Sequence, residues 1–311
     1  MEKYPLAGGA INAVTRRGNI VYRTGGSWVP AIHTMLDHLR AQGFAYAPKA
    51  LGLDARGREM ISFLPGHSMM RPWNPVMFTE DALVQAAAML RELHAASLGL
   101  TLPAATEWRS GPAAKVAGQV IRHGDLGPWN TLWQGDRLTG LIDWDFAEPG
   151  LAITDLAQLA LYFVPLRGDD HWHECGFPER PDFRRRLEVL CGTYGGLEPD
   201  QVTSEIVRLQ ESAINEITTR AAEGRYPWTM FLGNGEVERA RAEVDWIRLT
   251  LPEWCPGPVL TLPNQSISHP NDRPATIGPA PSETRNQPGV DWQQDWRNPR
   301  PAGQARPRDK S

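Results

Sequence analysis

The sequence predicts an α+β fold in two lobes, a small β-rich N-lobe followed by a larger, mainly helical C-lobe. Three observations carry that expectation. Short strand-like runs separated by Gly- and Asp-containing turns fill residues 10–64. Long runs with apolar residues at helical spacing dominate from Thr79 to about Glu253. One β-type patch, Val120 to Asp143, interrupts them. The expected domains are an N-lobe over 1–66, a C-lobe over 67–255 and a tail over 256–311.

Ala13 to Arg23 reads as a hairpin, with Arg17-Gly18-Asn19 supplying the turn. Ser27 to Ala41 reads as a helix: Pro30 suits its first turn, Ile32, Leu36 and Leu39 share a face, and Gly43 ends it. Ala50 to Leu53 and Glu59 to Leu64 are strands around a second turn, Asp54-Ala55-Arg56-Gly57. Thr79 can cap the next helix, with Glu80 and Asp81 favouring its dipole and Leu83, Ala86, Leu90 and Leu93 on its face. Further helices are expected over Asp155 to Phe163, Asp182 to Tyr194, Pro199 to Ala222 and Glu236 to Leu251. From Pro256 onward the chain holds 11 of its 27 prolines among Gln, Asn, Arg and Ser. Such a segment buries too little surface to offset its chain entropy, so a disordered tail is expected, with Trp292 and Trp296 its only large anchors.

At 311 residues, 41% hydrophobic and 22% charged, the chain can build a substantial core. A formal net charge of −4 speaks against a general nucleic-acid binder. Cys175, Cys191 and Cys255 are too few and too widely spaced for a disulfide framework, which fits a reducing cytosol. Met1-Glu2-Lys3-Tyr4-Pro5 leads into no apolar signal core. No stretch approaches the roughly 20 apolar residues of a membrane helix. A soluble cytoplasmic protein with no nucleic-acid or membrane partner is expected, and the oligomeric state leaves no mark in the sequence.

The chemistry concentrates in His123-Gly124-Asp125-Leu126-Gly127-Pro128-Trp129-Asn130 and Leu141-Ile142-Asp143-Trp144-Asp145. Val120 to Arg122 enters a loop as a strand, and Gly124 and Gly127 let that loop turn sharply. Thr131 to Trp133 leaves it, Gly135-Asp136 turns, and Leu138 to Ile142 returns. A hairpin of this kind brings Asp125, Asn130 and Asp143 to one rim. Two carboxylates and an amide oxygen are hard ligands suited to Mg²⁺, which takes few protein groups plus phosphate oxygens. Phosphoryl transfer asks for such a set: one carboxylate for the acceptor hydroxyl, an Asn and a second Asp for the metal.

These residues resemble the aminoglycoside phosphotransferase family, with its choline kinase-like members, relatives of the protein kinases. The family pattern is His-Gly-Asp, an Asn five residues after the Asp, then Ile-Asp-Trp/Phe-Asp/Glu on the next strand. His123-Gly124-Asp125, Asn130 and Ile142-Asp143-Trp144-Asp145 fill every position, and the 18 residues from Asp125 to Asp143 resemble the family's spacing. The resemblance implies a protein-kinase-like fold, ATP (or GTP) and Mg²⁺ as cofactors, and a small-molecule hydroxyl acceptor. By it Asp125 is the catalytic base, His123 braces the loop, and Asn130 and Asp143 hold the metal. Asp145 is expected to hold its loop, and Asp155 to bond the backbone of the catalytic loop. Read locally, Thr154 or Asp155 is simply a helix cap.

In the N-lobe, Leu6 to Asn12 sits where the family places its nucleotide loop, so Gly8 and Gly9 would let backbone approach phosphates. Arg23 ends the strand that usually carries a phosphate-touching Lys. The Glu that usually pairs with that Lys is missing from the following helix, which offers His33 and Asp37. Ser62-Phe63-Leu64-Pro65-Gly66 resembles the hinge, with Phe63 and Leu64 beside the adenine. The absent Lys–Glu pair keeps an alternative open, a catalytically weak nucleotide-binding interaction module of pseudokinase type. Glu205, Glu211, Glu216 and Glu223, with Asp169 and Asp170, are the carboxylates available to a polycationic acceptor. His171-Trp172-His173-Glu174-Cys175 would offer alternating zinc ligands on a strand, without a fourth ligand at a recognisable spacing.

Overall fold

A computed structural model of the chain describes residues 4–5, 14–103 and 106–254, with side chains over 14–103 and 106–250. Gly8, Gly9 and the tail expected from residue 256 lie outside the described residues. The fold is α+β. Strands β1 (Tyr4–Pro5), β2 (Val14–Arg17), β3 (Ile20–Arg23), β4 (Ala50–Leu53) and β5 (Glu59–Ser62) form an antiparallel sheet in the order β1-β2-β3-β5-β4. Gly18 turns the β2–β3 hairpin at φ 59°. Between β3 and β4 runs α1 (Val29–Ala41), which buries Ile32, Met35, Leu36 and Leu39.

β6 (His67–Ser68) follows β5 and leaves the first sheet to pair with β10. The Thr79 hydroxyl caps α2 (Glu80–Ser97) by accepting from Ala82 N–H at 3.2 Å. The short β7 (Glu107–Trp108) and β8 (Gly111–Pro112) form a hairpin, and β9 (Val120–Arg122) leads into the conspicuous loop. β10 (Thr131–Gln134) and β11 (Arg137–Leu141) form the expected hairpin, and β12 (Glu148–Gly150) returns against β9. Helices α3 (Ala152–Phe163), α4 (His171–Glu174), α5 (Phe183–Tyr194), α6 (Pro199–Ala222), α7 (Trp228–Gly233) and α8 (Glu236–Trp254) complete the described chain. Here α2 packs on α5, and α6 packs on α3 and α8. Leu83, Leu90, Leu93, Leu156, Leu159 and Leu187 are fully buried in one continuous core with α1. Each such side chain contributes about 1.5–3 kcal/mol.

Some expectations needed correction. α3 starts at Ala152, so neither Thr154 nor Asp155 is its cap. The Thr154 hydroxyl is turned to Glu205 at 2.5 Å, and Asp155 is turned to backbone outside the helix. His171 to Glu174 is helical, so the residues read as alternating zinc ligands do not lie on a strand. Among the described residues no cluster of His, Cys, Asp or Glu is arranged to hold a metal by itself, and no helix is long and apolar enough to cross a membrane.

Candidate active site

The loop from His123 to Asn130 hangs between β9 and β10 and is shaped by its own hydrogen bonds. Gly124 has φ 78°, and a Cβ there would collide with the Phe146 carbonyl, so only glycine lets the two loops approach. Pro128 to Asn130 form one 3₁₀ turn, closed by Asn130 N–H to Gly127 O at 3.0 Å. The Asn130 side chain donates Nδ2 to the Asp125 carbonyl at 2.9 Å and to Asp125 Oδ2 at 2.8 Å. With Nδ2 committed to Asp125, Oδ1 is the hard acceptor left for a cation. The Asn130 carbonyl receives Ile142 N–H at 2.9 Å, which brings Asp143 to the same rim.

Two residues of α3, three apart and so on one face, carry much of this loop. Asp155 accepts from His123 N–H at 2.7 Å and from Gly124 N–H at 3.3 Å. Gln158 accepts from Leu126 N–H at 2.7 Å and donates to the Gly124 carbonyl at 3.1 Å. Behind Asp155, His94 of α2 pairs with it at 3.3 Å and meets the Tyr194 hydroxyl at 2.7 Å. The buried His123 ring accepts Asp125 N–H at Nδ1 (3.3 Å) and donates Nε2–H to the Ile142 carbonyl at 3.0 Å. Burial lowers its pKa from 6.5 to about 4, so at neutral pH the imidazole is uncharged and can play both roles. This geometry makes His123 a brace between the Asp125 loop and the Asp143 strand.

Asp143, two residues beyond β11, caps a 3₁₀ turn in the left-handed conformation, φ 64°, a backbone state that Asp tolerates better than most residues. Its side chain is 42% exposed, whereas that of Asp145 is 4% exposed. The buried surroundings and then the Asp145 charge raise the Asp143 pKa, with Arg23 and Arg109 opposing; the open side chain weakens the first effect. Arg23, 5% exposed, ties the sheet to this loop. It bonds Glu59 directly across the strand pair, Asp143 Oδ1 at 3.1 Å and Asp145 Oδ1 at 2.8 Å. Burial opposes its charge, but Asp145, Glu59 and Asp143 overcome this and raise its pKa. The acid facing Arg23 thus comes from β5, and His33 of α1 meets the same Glu59 at 3.0 Å. Arg109, from the β7–β8 turn, binds Asp145 Oδ2 at 3.1 Å and lies over the rings of Trp28 at 4.4 Å and Phe146 at 4.9 Å.

An oxygen-liganded Mg²⁺ fits this chemistry, because Asn130 Oδ1 and the open Asp143 carboxylate are hard donors at one rim. Phe63 and Leu64 lie between β5 and β6, where the chain passes from one sheet to the next. Phe63 N–H donates to the Asn19 carbonyl at 2.9 Å, and the Arg16 guanidinium covers its ring at 3.4 Å. Glu59, His94, Arg109 and Gln158 escaped the sequence reading. Gln158 alone carried a local signal, its three-residue offset from Asp155.

Residues 104–174 match the phosphotransferase enzyme family (APH). The chain is 35% identical over 222 residues to the trifolitoxin immunity protein of Rhizobium leguminosarum bv. trifolii, covering 70% of this chain and 83% of that protein. Among solved structures it resembles a choline/ethanolamine kinase family protein from Mesorhizobium loti, with TM-score 0.51 and 16% identity over 80% of this chain and 93% of that one. It also resembles the GDP complex of aminoglycoside 2'-phosphotransferase-IIIa, with TM-score 0.51 and 15% identity over 79% and 93% of the two chains. At these identities the structural likeness speaks for the fold, which is protein-kinase-like. From the sequence relative and the matched segment together, the chain belongs to the phosphotransferase enzyme family (APH).

Proposed function

We propose that this phosphotransferase moves the γ-phosphate of ATP or GTP to a hydroxyl of a small molecule, with Asp125 as catalytic base. The observation that carries the proposal is the rim built by Asn130, whose amide holds Asp125 at 2.8 Å while its carbonyl holds the strand end before Asp143. In this reading Asp125 orients the acceptor hydroxyl and takes its proton as the new O–P bond forms and the bond from the γ-phosphorus to the bridging oxygen breaks, releasing the nucleoside diphosphate. Asn130 and Asp143 would hold Mg²⁺, which neutralises phosphate charge when bound. His123, neutral and doubly bonded, keeps the two loops in register. Arg23 offers the guanidinium nearest the metal-side carboxylates and would face the phosphates. The likeness to an immunity protein extends the proposal to a protective role, in which the acceptor is a toxic compound.

A second reading, a nucleotide-binding module without turnover, draws on Arg23, whose guanidinium is engaged by three carboxylates. Replacing Asp125 by Asn separates the two. Under the enzyme reading, Mg·nucleotide affinity survives and turnover falls by roughly 10²–10⁴-fold, in kcat more than KM. Nucleotide binding by both forms with no transfer by either, across ATP, GTP and a broad set of hydroxylated compounds, would establish the module instead.

A further inference from the structure

We infer that the acceptor carries an anionic oxyacid group, a carboxylate or a phosphate, and that Arg71 reads it. The inference rests on the phosphotransferase reading for the word acceptor, though not for the anion site itself. Arg71 stands two residues after Met69, whose N–H bonds the Pro128 carbonyl in the 3₁₀ turn of the catalytic loop at 3.2 Å. It stands two residues before Trp73, whose N–H bonds the Cys175 carbonyl at the end of α4 at 2.8 Å. The backbone around Arg71 is thus held between the catalytic loop and the end of α4, where its side chain meets Glu174. The Arg71 side chain is only 15% exposed, yet among the described residues its ion pair is one contact, Nη1 to Glu174 Oε2 at 3.1 Å, with a side chain 53% exposed. A solvated carboxylate is a weak counter-charge.

The neighbours do not make up the deficit. Arg167 lies over the Tyr162 ring at 5.1 Å and is taken up by Glu243 at 2.7 Å. Tyr162 in turn meets Trp129 of the catalytic loop edge to face, with centroids 4.7 Å apart. Trp129 belongs to the same loop as Asp125, so an aromatic face adjoins that loop, and Arg71 nearby is a planar cation able to grip an oxyanion with two parallel N–H bonds. Burial, together with the like charge of Arg167, lowers the pKa of Arg71 in spite of Cys175, Glu174 and Tyr162.

The glutamates read as available to a polycation each have an arginine beside them, and only Glu205 is buried. Glu205 bonds Arg208, Glu211 bonds Arg248 at 2.6 Å, Glu216 pairs with Arg220 at 2.9 Å, and Glu223 pairs with Arg225 at 3.6 Å. Asp169 and Asp170 are exposed in the loop before α4, where water screens them.

The test is calorimetric titration of the full-length protein, with Mg·nucleotide present, against three probe classes. Gluconate and glycerol phosphate supply the carboxylate and phosphate arms, sorbitol is the neutral control, and kanamycin and choline are the cations. At least one anion should bind. Arg71→Ala should weaken that binding about ten- to a hundredfold, the equivalent of losing one charged hydrogen-bonded pair. Arg71→Lys should retain part of it. Glu174→Gln should tighten it by freeing the guanidinium, which a purely structural role for the pair would not do. The stronger of the two anion arms identifies the group. The inference is overturned if the cations bind better than either anion, if Arg71→Ala binds anions as wild type does, or if neither anion binds up to about 10 mM. Nucleotide affinity is measured separately. Its absence, with Arg71-dependent anion binding intact, would sink the phosphotransferase reading and leave the anion site standing.

Discussion

Replacing Asp155 by Ala tests whether the loop from His123 to Asn130 hangs on one buried carboxylate. Its side chain is 1% exposed and is shared by His123 N–H, Gly124 N–H and His94. Ala would strand two backbone donors and a histidine in the dry interior. Each charged hydrogen bond is worth about 1.5–3 kcal/mol, and an orphaned buried donor costs about 1–3 kcal/mol. Because the three groups share one acceptor, these figures do not add, and a total loss of about 3–5 kcal/mol is expected. For a chain of this size that lowers Tm by about 6–20 °C. The pH dependence supplies an independent check. Burial alone would raise the Asp155 pKa, but the His94 hydrogen bond and charge, Arg122 and His123 N–H outweigh it and hold it below the ordinary 3.8. A carboxylate depressed in the fold stabilises it fully above the unfolded value and loses that contribution as pH falls through the folded value. Wild type should therefore lose this stability below about pH 4, and Asp155→Asn should show a shallower acid loss. Calorimetric melting between neutral and acid pH measures both. A Tm for Asp155→Ala within about 2 °C of wild type would refute the reasoning.

Asp143→Ala should weaken Mg·nucleotide binding, and equal wild-type affinity with and without Mg²⁺ in calorimetry would count against Asp143 as a metal ligand. Arg23→Ala leaves Glu59 and Asp145 buried without their shared cation, so urea denaturation should show a loss of about 3–5 kcal/mol. Arg23→Lys should be intermediate, keeping the charge but not the fork across three carboxylates, and wild-type stability in the Ala variant would disprove the network's role. His123 is neutral in the fold down to about pH 4 but takes a proton near 6.5 when unfolded. Its contribution is therefore intact above pH 6.5 and lost as pH falls toward 4, by roughly 3 kcal/mol. His123→Gln should flatten that slope in urea titrations, and an unchanged slope would show that the imidazole is not buried neutral.

The sequence by itself determined most of the longer helices and N-lobe strands and the clustering of the candidate site residues. Helical spacing located α1, α2, α5, α6 and α8, because burial on one face leaves a repeat readable within a few turns. His123-Gly124-Asp125, Asn130 and Asp143 were legible because a tight loop and a hairpin confine them to neighbouring positions. The two-residue β6 and three-residue β12 were not, since so short a strand has no period and exists only through its partner. Tertiary structure alone decided what each charge faces. Glu59 meets Arg23 because β3 and β5 pair in that one register, and a slip of one residue would turn both side chains to opposite faces. Asp155 reads locally as a helix cap and becomes the anchor of the His123–Asn130 loop only because α3 packs beneath β9. Arg109 and Arg71 lie in segments without periodicity, and their partners are 36 and 103 residues away along the chain. Local patterns record which backbone a segment adopts; pairings across such separations follow from packing, which no window of sequence contains.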